Sequence, residues 1–150
     1  MKNRASLVAL TRAKPVAARD LLTQVAFAYL TGNGDQHAKN PSVVRNSVGE
    51  WRVTPAYDVP STHPYGDVSM ALTAGGRARE DITRGVFVQL GRGLGVPERA
   101  VVKVLDRLCD AVEAWSPRLP ELPFDERQVH KLGRLVRDRR AKLAGTRARG

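Results

Sequence analysis

The ten residues Gly32-Asn33-Gly34-Asp35-Gln36-His37-Ala38-Lys39-Asn40-Pro41 constrain the fold more than any other stretch of the chain. Glycine, asparagine, aspartate and proline favour turns and left-handed backbone, so the segment suits neither helix nor strand. Before it, Leu21, Leu22, Val25 and Tyr29 recur at three- and four-residue spacing, which predicts a helix over 16–30 that Gly32 ends. After it, residues 42–45 and 50–54 read as two short strands around a turn at 46–49. Residues 55–64 hold three prolines and read as a second loop.

Three further helices are expected. One starts near Asp81 and stops at 91–95. A second opens at Pro97, with Glu98 behind it, and ends at Pro117 and Pro120. Its Val101, Val104, Leu105, Leu108, Val112 and Trp115 form one apolar stripe that reads as core. A third follows Asp125 as N-cap, with Val129, Leu132, Val136 and Leu143 on one side. The expected fold class is mainly α with one small β-hairpin.

At 150 residues, 42% of them hydrophobic, the chain is long enough to bury a core without staples. Its single cysteine, Cys109, excludes an intramolecular disulfide and a CxxC zinc site, and reads as a small core residue rather than a nucleophile. Apolar runs extend only a few residues, so neither a transmembrane helix nor a signal h-region is expected, and the default compartment is the cytoplasm.

The net charge of +10 is unevenly placed. Residues 1–19 carry +5, residues 20–130 carry −2, and residues 131–150 carry +7. Lys131, Arg134, Arg137, Arg139, Arg140 and Lys142 read as a solvated helix face that is also able to touch nucleic acid or an acidic partner. No aromatic residue interleaves with them, which disfavours stacking on single strands. Removal of 131–150 is expected to weaken such binding and to leave residues 17–118 folded.

Asp35 and Asn40 lie five apart in the polar loop, and Asp58 follows the hairpin. Phosphoryl transfer uses such a set: one carboxylate orients or deprotonates the attacking hydroxyl, while an amide oxygen and a second carboxylate hold Mg²⁺. On spacing alone a capped loop without catalysis fits the set better than catalysis does. A metal-hydrolase reading would use His37, His63, Asp35 and Asp58, but no rigid helix-borne histidine pair supports it. Trp51 reads as a cross-strand packing residue and His130 as solvated.

The words around the spacing decide between these readings. Leu30-Thr31-Gly32-Asn33-Gly34-Asp35-Gln36-His37-Ala38-Lys39-Asn40, followed by Trp51-Arg52-Val53-Thr54-Pro55-Ala56-Tyr57-Asp58-Val59, closely resembles the HipA family of serine/threonine kinases. These are the toxins of bacterial HipA–HipB toxin–antitoxin pairs. The likeness runs on through Met70-Ala71-Leu72-Thr73, Gly75-Gly76 and Asp81-Ile82-Thr83, and covers about residues 17–118. It implies the C-terminal helical lobe of a protein-kinase-like fold. It also divides the chain into a basic extension (1–16), the lobe (17–118) and a basic helix or tail (119–150).

By that resemblance Asp35 is the catalytic aspartate, with His37 and Lys39 in the catalytic loop. Asn40 and Asp58 are metal ligands, and Tyr57 borders the nucleotide. The cofactors implied are ATP and Mg²⁺. The partners implied are a HipB-like DNA-binding antitoxin and a protein substrate such as an aminoacyl-tRNA synthetase.

One departure matters. Only 31 residues precede Gly32, the first glycine, and Lys2 and Lys14 are the only lysines among them, so no phosphate-clamping loop lies ahead of the motif. The N-terminal lobe is therefore expected from elsewhere, with this chain a split subunit, a truncated product or a remnant. The competing class is a non-catalytic module that binds an antitoxin or nucleic acid through its basic ends.

Overall fold

The computed structural model describes residues 14–35, 41–66 and 82–145. Among the described residues four α-helices, α1 (Lys14–Thr31), α2 (Arg84–Gly93), α3 (Glu98–Trp115) and α4 (Glu126–Leu143), accompany one antiparallel hairpin, β1 (Val43–Arg45) and β2 (Trp51–Val53). The mainly α fold with a single small hairpin is the one expected.

Helix α1 is the centre. Ala17, Ala18, Leu21, Leu22, Val25, Ala26, Ala28, Tyr29 and Leu30 are all buried, so its apolar surface wraps well past one face. A helix of that kind needs neighbours on several sides. Helices α2, α3 and α4 supply them, each turning one apolar stripe inward: Val86, Phe87 and Leu90; Val101, Leu105 and Val112; Leu132, Val136 and Leu143. Each fully buried leucine contributes about 1.5–3 kcal/mol. The rings of Tyr29 and Phe87 meet at 5.9 Å, tilted by 59°. Gly91 lets α2 approach α3 closely: a Cβ there would stand 2.3 Å from Val101 Cγ2.

The hairpin pairs Val43 with Val53 and Arg45 with Trp51. Asn46 shapes its turn, Oδ1 accepting from the N–H groups of Val48 and Glu50. The hairpin is fastened to α1 by Gln24, whose Nε2 donates to the Thr54 carbonyl at 2.7 Å.

Several expectations change. Trp115 is not core: it closes α3 with 39% of its surface exposed, and Val104 and Leu108 are only partly buried. The helix expected to start near Asp81 begins at Arg84, with Thr83 at its cap; Asp81 lies outside the described residues. Trp51 keeps the cross-strand place expected of it, opposite Arg45, and is exposed.

The basic stretch is the largest correction. Arg139 donates to the Tyr29 carbonyl and lies 4.7 Å over the Tyr29 ring. Arg140 donates to the Cys109 carbonyl at 3.1 Å and pairs with Glu113. Two of the six cations thus tie α4 to α1 and α3, and α4 buries core leucines beside them. This overturns the idea that 131–150 is dispensable for folding. Lys131, Arg134, Arg137 and His130 are exposed, as a solvated face requires. Cys109 is buried at 4% exposure, and burial pushes its thiol pKa up against the opposing pull of Arg140, as befits a packing residue.

Candidate functional site

The polar loop leaves α1 through Gly32, whose φ of +74° is left-handed backbone that glycine adopts without strain. Space is short there too: a Cβ would come within 2.6 Å of Leu135 Cδ2 and 3.3 Å of His63 Cβ. The Asn33 N–H then turns back to the Ala28 carbonyl at 3.0 Å, closing the helix end, and Asn33 itself is fully buried. The chain reaches Asp35 with its side chain in solvent.

A second loop comes alongside. Thr62 makes a double tie: its N–H donates to the Gly32 carbonyl at 3.1 Å, and its Oγ1 accepts from the Gly34 N–H at 2.8 Å. The residues just before Asp35 are thereby bound to a segment that begins four residues after Asp58. Asp58 is the one non-glycine residue at positive φ (+49°) among the described residues, a conformation that aspartate tolerates better than most. Its neighbour Tyr57 is half exposed, with its hydroxyl 2.6 Å from Ser42 Oγ. Ser42 in turn accepts, through its carbonyl, the Thr54 N–H at 2.9 Å. The hairpin, the loop after it and the loop after α1 thus form one hydrogen-bonded unit.

Asp35 and Asp58 are both exposed, and among the described residues neither has an ion-pair partner. Such carboxylates are acceptor-only and suit a hard cation. His37, Lys39 and Asn40 lie outside the described residues. Among the described residues no three of His, Cys, Asp and Glu gather to hold a metal, so the hydrolase set finds no support from Asp35, Asp58 and His63. His63 lies against Gly32 instead. Burial, with the Arg139 and Lys131 charges nearby, holds its imidazole pKa below the ordinary value.

Sequence reasoning missed Thr62, Gln24 and Arg139 as positioning groups. Nothing in the local pattern marks them, because each acts on a backbone carbonyl or amide distant in sequence.

The HipA-like C-terminal domain matches residues 2–116 of this chain. The chain belongs to that family. The serine/threonine-protein kinase toxin HipA of Shewanella oneidensis is 33% identical over 128 residues, covering 81% of this chain and 29% of that protein. A putative kinase, Y4mE, of Sinorhizobium fredii is 29% identical over 130 residues, covering 82% and 30%. Among solved structures, the Shewanella oneidensis complex of HipA, HipB and operator DNA matches with a TM-score of 0.69 at 27% identity, over 92% of this chain and 33% of that one. This HipA-like domain therefore spans about three tenths of the curated relatives it matches. The Asp35 loop and the hairpin both fall inside the matched residues, while α4 lies beyond them. Among the described residues no helix is long and apolar enough to cross a membrane.

Proposed function

We propose that residues 32–58 form the catalytic edge of a HipA-type serine/threonine protein kinase that transfers phosphate from ATP with Mg²⁺. The observation that carries this reading is the Thr62 tie, which binds the loop bearing Asp35 to the segment following Asp58 and leaves both carboxylates unpaired among the described residues.

In this reading Asp35 accepts the proton of the substrate hydroxyl. Asp58 and Asn40 hold Mg²⁺, Lys39 and His37 complete the loop, and Tyr57 borders the nucleotide. The metal-bound nucleotide supplies the phosphoryl group and the charge neutralisation its transfer needs. The tied, buried base of the Asp35 loop supplies positioning, which is nearly all a protein contributes to this reaction. Clamping the triphosphate is left to a lobe outside these 150 residues, on this polypeptide or a partner. A HipB-like antitoxin with its DNA, a protein substrate such as an aminoacyl-tRNA synthetase, and a cytoplasmic setting follow by analogy with the relatives. The non-catalytic alternative rests on a smaller basic face than the sequence implies, because Arg139 and Arg140 are engaged internally.

The test is a chimera in which the preceding part of the Shewanella relative is fused ahead of this domain. ATP-dependent phosphorylation is expected from the chimera and not from residues 1–150 alone. Asp35→Asn should remove turnover and spare nucleotide binding, whereas Asp58→Ala should weaken Mg²⁺-dependent binding in calorimetry, with Asn40→Ala a milder version. A folded chimera without turnover would sink the kinase reading. Loss of binding in Asp35→Asn with retention in Asp58→Ala would reverse the assigned roles.

A further inference from the structure

One flank of the molecule, outside the proposed catalytic edge, carries a cleft with a polar end and an apolar end. Helices α1 and α3 run side by side there in the same sense. Near their starts a cavity of about 590 Å³ is lined by Arg19, Asp20 and Thr23 from α1 and by Lys103, Arg107 and Leu108 from α3. Near their ends a second cavity, of about 420 Å³, is lined by Phe27 and Thr31 on one side and by Val112 and Trp115 on the other. Leu108 and Ala111 line both, so the two are halves of one groove. Twelve residues separate Arg19 from Thr31, and Lys103 from Trp115, which is about 18 Å along a helix.

The two halves differ in chemistry. Arg19, Lys103 and Arg107 face the first half against a single acid, Asp20, which pairs with Arg19 at 3.1 Å. Among the described residues Lys103 and Arg107 have no ion-pair partner. The second half is almost wholly apolar, and Phe27 and Trp115 each leave 39% of their surface in solvent. Large aromatic side chains and arginines are enriched at recognition surfaces, and Phe27, Trp115, Arg19 and Arg107 share this groove.

We infer that this groove docks a separate polypeptide through an amphipathic helical segment of about twelve residues. Its acidic end lies over Arg19, Lys103 and Arg107, and its large apolar side chains lie over Phe27, Leu108 and Trp115. Charge decides against the two ends of the chain. Residues 1–13 contain Lys2, Arg4 and Arg12 and no acid, and residues 146–150 contain Arg147 and Arg149 and no acid, so neither complements the cationic end. A second copy in two-fold apposition would set the cationic half of one groove against the apolar half or the cationic half of the other. A partner segment with acids at one end satisfies both halves.

The experiment is a displayed library of helical peptides of 12 to 16 residues, selected on the immobilised full chain and re-measured on two variants. One carries Lys103→Glu and Arg107→Glu, and the other carries Trp115→Ser, with Phe27→Ser as substitute if that protein does not melt cooperatively. Enriched peptides are expected to hold acids at one end and large apolar residues over the next turns. Each variant should weaken their binding about tenfold or more. The inference is overturned if no peptide is enriched, if the enriched peptides lack acids, or if binding ignores both variants. Sedimentation velocity supplies the remaining outcome: self-association that Trp115→Ser abolishes would make the occupant a second copy and overturn the inference as well.

Discussion

Thr62 carries more of the site than its side chain suggests. One hydroxyl accepts the N–H of Gly34, a buried residue, and the same residue's N–H holds the Gly32 carbonyl. Thr62→Val keeps the shape and strands the Gly34 donor, which should cost about 1–3 kcal/mol in urea denaturation. Thr62→Ser keeps the acceptor and should cost less than half as much; equal losses in the two variants would show that the methyl, not the hydroxyl, matters. His63 adds a pH dependence whose sign follows from its depressed pKa. The unfolded imidazole takes a proton near pH 6.5 and the folded one only at lower pH. Stability should therefore be full above about pH 6.5 and fall as pH drops through the folded value. His63→Gln should flatten that part of the curve, a comparison that thermal melts between pH 7.5 and 5 would make. The turn at Gly32 was legible in the sequence because turn chemistry is local. Thr62 was not, since its partners lie 28 and 30 residues away.

Helix starts and stops were legible wherever a cap announces itself. Asp125 accepts the Gln128 N–H at 2.7 Å while Gln128 Oε1 accepts the Asp125 N–H at 3.2 Å, a reciprocal box that fixes the start of α4. Asp125→Ala should lower stability by about 1 kcal/mol in chemical denaturation, and a loss near zero would mean that tertiary packing alone sets the helix start. What periodicity could not tell is which face of an element meets protein. The stripe on α3 is continuous, yet Val101, Leu105 and Val112 are buried while Val104 and Leu108 only lean on the core, and Trp115 ends at the rim of the α1–α3 groove. Equal spacing does not mean equal burial, because the neighbouring helix covers only part of the stripe. On α4 the apolar side formed by Leu132, Val136 and Leu143 is buried as expected, and only the internal ties of Arg139 and Arg140 had no local sign.

Across the whole molecule, the basic helix is a structural member. Deleting 131–150 takes away Leu132, Val136 and Leu143 from the core together with the Arg139 and Arg140 ties. At about 1.5–3 kcal/mol per buried apolar side chain, the loss is comparable with the ~5–15 kcal/mol that holds a domain folded. The truncated chain should lose cooperative unfolding by circular dichroism; a sharp transition near that of the full chain would refute the packing argument. Arg139 also has a temporal consequence. Its bond closes on Tyr29, three residues before the loop that carries Asp35, and spans 110 positions. During synthesis at roughly 5–20 residues per second, the end of α1 waits on the order of 5–20 s for that guanidinium to emerge. The nascent polar loop therefore lacks that brace until α4 has emerged.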